Sequence, residues 1–108
     1  MTFNEYQEKA VETAVYGAGE NILYQTLGLV NEAGEVAGKV KKVLRDNEGL
    51  YDPKSVEGIK AEIGDVLWYM AALCRDLGIT LDEVAEQNLV KLHDRKARGV
   101  LQGSGDNR

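Results

Sequence analysis

This chain of 108 residues is sparing in several residue types, and each scarcity removes a class of explanation. It has one cysteine, Cys74, so no disulfide can close within it. At helical spacing Cys74 falls on an apolar face, which reads as a buried thiol rather than a reactive one. The single histidine, His93, has Val90 three positions before it. A redox di-iron bundle needs Glu-x-x-His pairs, so that reading fails. No P-loop, dinucleotide fingerprint, zinc motif or Cys/His pair occurs. No apolar run approaches a membrane span, and no alternating run reads as a strand. Met1-Thr2-Phe3-Asn4-Glu5 lacks the basic and apolar regions of a secretory signal. A reducing, cytoplasmic setting is therefore expected. Excess positive charge is also missing. The net charge of −5 argues against nucleic-acid binding over the whole surface. It leaves room for a small anionic ligand whose charge a metal screens.

What is present reads as one helical domain. Hydrophobic content of 44% and charged content of 29% suit a soluble chain with one modest core. Thr2 and Glu5 form a capping box that opens a first helix. Phe3, Tyr6, Ala10 and Ala14 share its face, and the pattern stops near Gly17-Ala18-Gly19. Gln7 reads as a surface amide and Tyr6 as a core aromatic, with a site-facing role the alternative for each. A second helix is expected over 21–45 and a third up to Leu77. Asp52 caps the third with Pro53 at its first position, or Ser55 does so. Gly78 stops it. Thr80 and Glu83 make a second capping box, opening helix four at Leu81. The expected fold is all-α, an antiparallel four-helix arrangement over 1–98 with a flexible Gly-rich tail at 99–108.

The long helices carry one pattern twice. Glu32-Ala33-Gly34-Glu35-Val36 returns, thirty residues on, as Glu62-Ile63-Gly64-Asp65-Val66. Residues three apart share a helix face. On a wheel centred at Ala33, Glu32 lies at about −100° and Glu35 at about −160°. Centred at Ile63, Glu62 and Asp65 fall at the same angles. The apolar faces around Ala33 and Ile63 are expected to pack together and bring both acidic pairs to one edge of the seam. Gly34 and Gly64 are expected to mark close backbone approach. Four carboxylates so gathered need a counter-charge, and a hard divalent cation such as Mg2+ or Mn2+ provides it. The plainer alternative is two solvated acidic faces.

Cationic residues flank this pattern. Lys39 lies on the acids' flank, where it either pairs with Glu35 one turn earlier or reaches a phosphate. Lys41, Lys42 and Arg45 complement the helix dipole. Tyr69 follows Asp65 on the same flank, whereas Trp68 is expected to point to the far side, into packing or a subunit contact. In helix four, Asn88, Lys91 and Arg95 line the edge of a stripe of Leu81, Ala85, Leu89 and Leu92. They either snorkel beside it or hold phosphate oxygens. His93 sits away from that row and faces solvent. The tail is either disordered or, with its glycines, Ser104 and Arg108, closes over an anion.

The spacing Glu32-x2-Glu35, 26 residues, then Glu62-x2-Asp65 resembles the E-x-x-E…E-x-x-D signature of the MazG-like all-α nucleoside triphosphate pyrophosphohydrolases. The resemblance covers nearly the whole chain. The Asn31–Val36 and Ala61–Val66 stretches look like the family's two metal-binding helices. Asn88, Lys91 and Arg95 with the Gly-rich end look like its phosphate-contacting C-terminal part. Some relatives carry an acid where this chain has Asn31, so position 31 is not assigned as a ligand. The second domain copy of larger members is missing.

The resemblance implies Mg2+-dependent hydrolysis of an NTP or dNTP between its α- and β-phosphates. It implies nucleotide-pool housecleaning and assembly as a homodimer or homotetramer, with no nucleic-acid or membrane partner expected. Glu32, Glu35, Glu62 and Asp65 would hold metal. Glu35, or else Glu32, would take a proton from water. Lys39, Lys91 and Arg95 would neutralise the leaving pyrophosphate, with Asn88 and Arg108 as further substrate contacts. Two rivals stay open. One is a related enzyme on the same scaffold, of the phosphoribosyl-ATP pyrophosphohydrolase or dimeric dUTPase type. The other is a non-catalytic helical interaction module.

Overall fold

The computed structural model describes residues 1–16 and 22–108. Four helices follow in order: α1 (Phe3–Val11), α2 (Leu23–Asp46), α3 (Pro53–Asp76) and α4 (Leu81–Ala97). The described residues contain no strand, so the all-α expectation holds. Among the described residues no helix is long and apolar enough to cross a membrane.

Local chemistry sets most helix ends. Thr2 Oγ1 accepts from the Glu5 N–H at 3.0 Å, and Glu5 Oε1 accepts from the Thr2 N–H at 3.3 Å. Thr80 and Glu83 repeat this reciprocal box at the start of α4. Of the two caps offered for α3, Asp52 serves, accepting from the Ser55 N–H at 2.8 Å. At the other end Gly78 has φ +74°, and Gly78 and Ile79 donate back to Arg75 and Cys74. That left-handed turn closes α3 because glycine adopts it without a Cβ clash. The first helix ends at Val11, earlier than expected. The Thr13 hydroxyl donates to the Ala10 carbonyl at 2.7 Å, competing with helix continuation. The expected stop at 17–19 lies outside the described residues.

The second and third helices form an antiparallel hairpin. Gln25 meets Asp76, Gly28 meets Tyr69, and Lys39 meets Glu62, in opposite order along the two chains. Among the helices α2 packs against α3 alone, while α1 and α4 pack against α3 and each other. The core therefore sits at the C-terminal end of α3. Ala10, Ala71, Cys74 and Leu81 are buried there, with Tyr6, Leu67, Trp68 and Ile79 packed around them. Gln7 is buried too, not the surface amide expected. Its amide donates to the Ile79 carbonyl at 3.1 Å and accepts from the Leu81 N–H at 2.9 Å. One side chain thus ties α1 to the α3–α4 turn.

Two expectations for the long helices need correcting. The apolar face centred on Ile63 is not fully covered: Ile63 is 53% exposed, and Leu44 at the end of α2 is exposed as well. One helix, α2, runs along this part of α3 and leaves some of the face open. Nor do Gly34 and Gly64 mark close approach, since a Cβ on either would meet nothing within 4 Å. The close approach is at Gly28, where a Cβ would collide with the Tyr69 ring.

The tail is read from sequence as flexible, yet here it folds back on α4. Buried Arg95 donates to the Asp106 carbonyl at 2.8 Å. Arg108 donates to the carbonyls of Val100 at 3.0 Å and Leu101 at 3.1 Å.

Candidate metal centre

Each long helix brings acids to the seam at one level. On α3, Glu62 and Asp65 share a face through their three-residue spacing. On α2, Glu32 faces them. One carboxylate oxygen from each of Glu32, Glu62 and Asp65 lies within 4.8 Å of the other two. Glu32 and Glu62 are half-buried and Asp65 is exposed. Glu35, the fourth expected ligand, is exposed and lies outside this group. It sits one turn along α2, where its charge still reaches Glu32.

The group carries uncompensated negative charge. Burial at the seam raises the pKa of Glu32, and the charges of Asp65, Glu62 and Glu35 add to that shift, as does a hydrogen bond with Glu62. A cation stands beside it: Lys39 Nζ lies 4.0 Å from Glu62 Oε1. The expected partner on its own helix was Glu35. The hairpin register turns the lysine across to α3 instead.

The donor set fits a hard divalent cation. It offers oxygens only, without nitrogen or sulfur, which favours Mg2+ or Mn2+. Two oxygens on one octahedral Mg2+ lie about 3–4 Å apart. Small side-chain rotations would therefore close the group onto an ion.

A hollow of about 360 Å³ opens beside the acids, lined by Thr13, Glu32, Asp65, Trp68 and Tyr69. Trp68 does not point to the far side as expected. Its indole N–H donates to Thr13 Oγ1 at 2.8 Å and to the Ala10 carbonyl at 3.1 Å, and its ring lines the hollow. A signal was available, because Trp68 follows Asp65 by three residues, the same spacing that joins Glu62 to Asp65. Thr13 had no such signal, since its place depends on how α1 docks. Tyr69 stands on Asp65's flank as expected and meets Trp68 edge-on, with centroids 5.0 Å apart. Burial raises its hydroxyl pKa, followed by a hydrogen bond to Tyr24 and the charges of Tyr24, Glu32 and Asp65. Tyr6 is shifted the same way, by burial and then by Asp65.

The C-terminal residues are placed elsewhere. Asn88 and Lys91 line a separate hollow with Val84 and Gln87. Arg95 and Lys91 approach Asp106 Oδ1 at 3.7 and 4.0 Å. The Arg95 and Arg108 guanidiniums are engaged by the tail's own carbonyls. His93 is exposed, as expected.

A family model described as the MazG nucleotide pyrophosphohydrolase domain matches residues 22–100. That span runs from the start of α2 past the end of α4 and holds all four acids. The chain belongs to the MazG family. Membership supports nucleotide pyrophosphohydrolase activity and agrees with the all-helical architecture. The MazG chain is 51% identical over 114 residues to the Gene 37 protein of Mycobacterium phage L5, and the match covers the whole of both. No solved structure matches it. Thr13, on the wall of the hollow, lies outside the matched span.

Proposed function

We propose that this MazG-family chain hydrolyses nucleoside or deoxynucleoside triphosphates to the monophosphate and pyrophosphate, with Mg2+ held by Glu32, Glu62 and Asp65. The observation that carries this reading is the convergence of three carboxylate oxygens from two helices within 4.8 Å. A triphosphate could approach so acidic a seam only with cations between. Mg2+ bound there, or Mn2+ in its place, would screen that charge and lower the pKa of a coordinated water. The chain's own residues do the rest. Glu35, left outside the group, would be the carboxylate that takes a proton from water, with Glu32 the next candidate. Lys39, already beside Glu62, contacts the phosphates and offsets charge developing on the leaving pyrophosphate. Trp68, Tyr69 and Thr13 form the wall that faces the nucleoside.

A homodimer or homotetramer is part of this proposal. Leu23, Leu27, Val30 and Leu44 on α2 are exposed, as are Val56, Ile63 and Leu77 on α3. Faces this apolar are seldom left to water. Lys91 and Asn88 would then meet substrate across a subunit boundary. Nucleotide-pool housecleaning in a reducing, cytoplasmic setting is the role we assign, in keeping with the buried thiol of Cys74.

The test is pyrophosphate release from a panel of common and damaged triphosphates, with and without Mg2+, for the wild type, Glu62→Gln and Asp65→Asn. The wild type is expected to be active only with the metal, and both variants inactive with unchanged helical CD. Full activity in either variant would remove those carboxylates from the mechanism.

A further inference from the structure

We infer that the hollow between the C-terminal half of α2 and the first turns of α3 is a pyrophosphate subsite. It would hold the β- and γ-phosphoryl groups before cleavage and the leaving pyrophosphate after it. The inference rests on the hydrolysis proposed above and adds where the far end of the substrate lies.

The hollow measures about 590 Å³ and is lined by Lys39, Lys42 and Lys54 together with Asp46, Asp52 and Ser55. Three lysines line one space in a chain whose net charge is −5. The two acids on its wall have closer partners. Asp46 accepts from the Arg45 guanidinium at 2.7 and 2.8 Å. Asp52 caps α3 through the Ser55 N–H at 2.8 Å. No ion pair among the described residues engages Lys42 or Lys54. Three lysines against two carboxylates leave the hollow one formal positive charge, with Asp46 in the field of Lys42 and Asp52 in that of Lys54.

Its position supports the same conclusion. Lys39 belongs to both places, lining the hollow while its Nζ stands 4.0 Å from Glu62. Gly58 forms part of the opposite wall, and a Cβ there would lie 3.8 Å from Lys39 Cδ. Gly58 is one turn before Glu62, about 6 Å along α3, and Lys42 is about 4.5 Å beyond Lys39 on α2. A phosphate chain that starts at the three carboxylates and runs toward the loop between the helices thus meets Lys39, then Lys42 and Lys54. In the other direction lie Trp68 and Tyr69, which suit a base rather than an anion.

The experiment compares the wild type, Lys42→Ala, Lys54→Ala and the double variant, with Lys60→Ala as a charge control outside the hollow. Lys60 pairs with Glu57 on the surface of α3. Two readouts are taken. One is product inhibition by inorganic pyrophosphate and by the nucleoside monophosphate. The other is calorimetric binding of inorganic pyrophosphate in Mg2+, which needs no turnover. Losing two exposed cation contacts is expected to weaken pyrophosphate about tenfold in the double variant. Monophosphate inhibition and the Lys60→Ala control should be unchanged. Equal pyrophosphate affinity in the wild type and the double variant would overturn the subsite. So would equal weakening of both products. If the wild type cleaves no triphosphate, the parent reading fails, while the calorimetry still decides the subsite.

Discussion

Lys39 Nζ lies 4.0 Å from Glu62 Oε1, so the ammonium of one long helix reaches across the seam to an acid of the other. It would compete with a metal ion for that carboxylate. Lys39→Met should therefore tighten Mg2+ binding, by about twofold for a pair at 4.0 Å, while triphosphate turnover falls about tenfold or more. Calorimetry of Mg2+ binding set against steady-state rates checks this. Weaker metal binding in the variant would show that the lysine organises the acids instead of competing for them.

Glu32 supplies a pH signature. Its carboxyl titrates above the ordinary value, so the folded chain holds that proton more tightly than the unfolded chain. The stability this contributes is present below the unfolded pKa and is lost as pH rises through the folded one. In chelator, Glu32→Gln should show a smaller drop in melting temperature than the wild type between about pH 5 and about pH 7.5. Added Mg2+ should restore the wild type at the higher pH. Asp76 works in the opposite sense. Burial pushes it up, but hydrogen bonds from Arg75, Tyr16 and Gln25 hold it below the usual range. Its contribution is present above the unfolded pKa and is lost as pH falls through the folded one, so only the difference between wild type and variant isolates Glu32.

Gln7 should matter to folding far more than an ordinary glutamine. Gln7→Ala leaves the Ile79 carbonyl and the Leu81 N–H unpaired beside the core. A loss of about 2–3 kcal/mol in urea unfolding is expected. A loss under half of that would mean water replaces the amide.

Gly28→Ala should be poorly tolerated, because the new methyl would collide with the Tyr69 ring. The ring also meets Trp68 edge-on at 5.0 Å, which limits its retreat. A cost of about 1–3 kcal/mol is expected. Tyr69→Ala in the same chain should relieve most of it, and Tyr69→Phe should not. Additive costs in the double variant would place the strain elsewhere.

These cases show which parts of the molecule its sequence makes legible. Thr2 with Glu5, Thr80 with Glu83, and Asp52 with Pro53 act within one turn, and each cap forms as its spacing requires. The three-residue interval also places Glu62 and Asp65 on one face. What depends on inter-helix register was not readable. Gly28, rather than Gly34 or Gly64, takes the close approach because Tyr69 happens to stand opposite it. Trp68 and Thr13 reach the hollow because α1 docks on that end of α3. Glu35 drops out of the group although its spacing from Glu32 matches that of Asp65 from Glu62, since sharing a face does not bring a side chain across the gap between helices.

Among the described helices α3 alone packs along α2. Glu32 sits near the middle of one strut, with Glu62 and Asp65 near the middle of the other. An ion gripped by all three would fasten the struts together at half-span. Ligation and stiffening would then be a single event, with each arrival of the cation damping the swing of the ribbon and each departure freeing it.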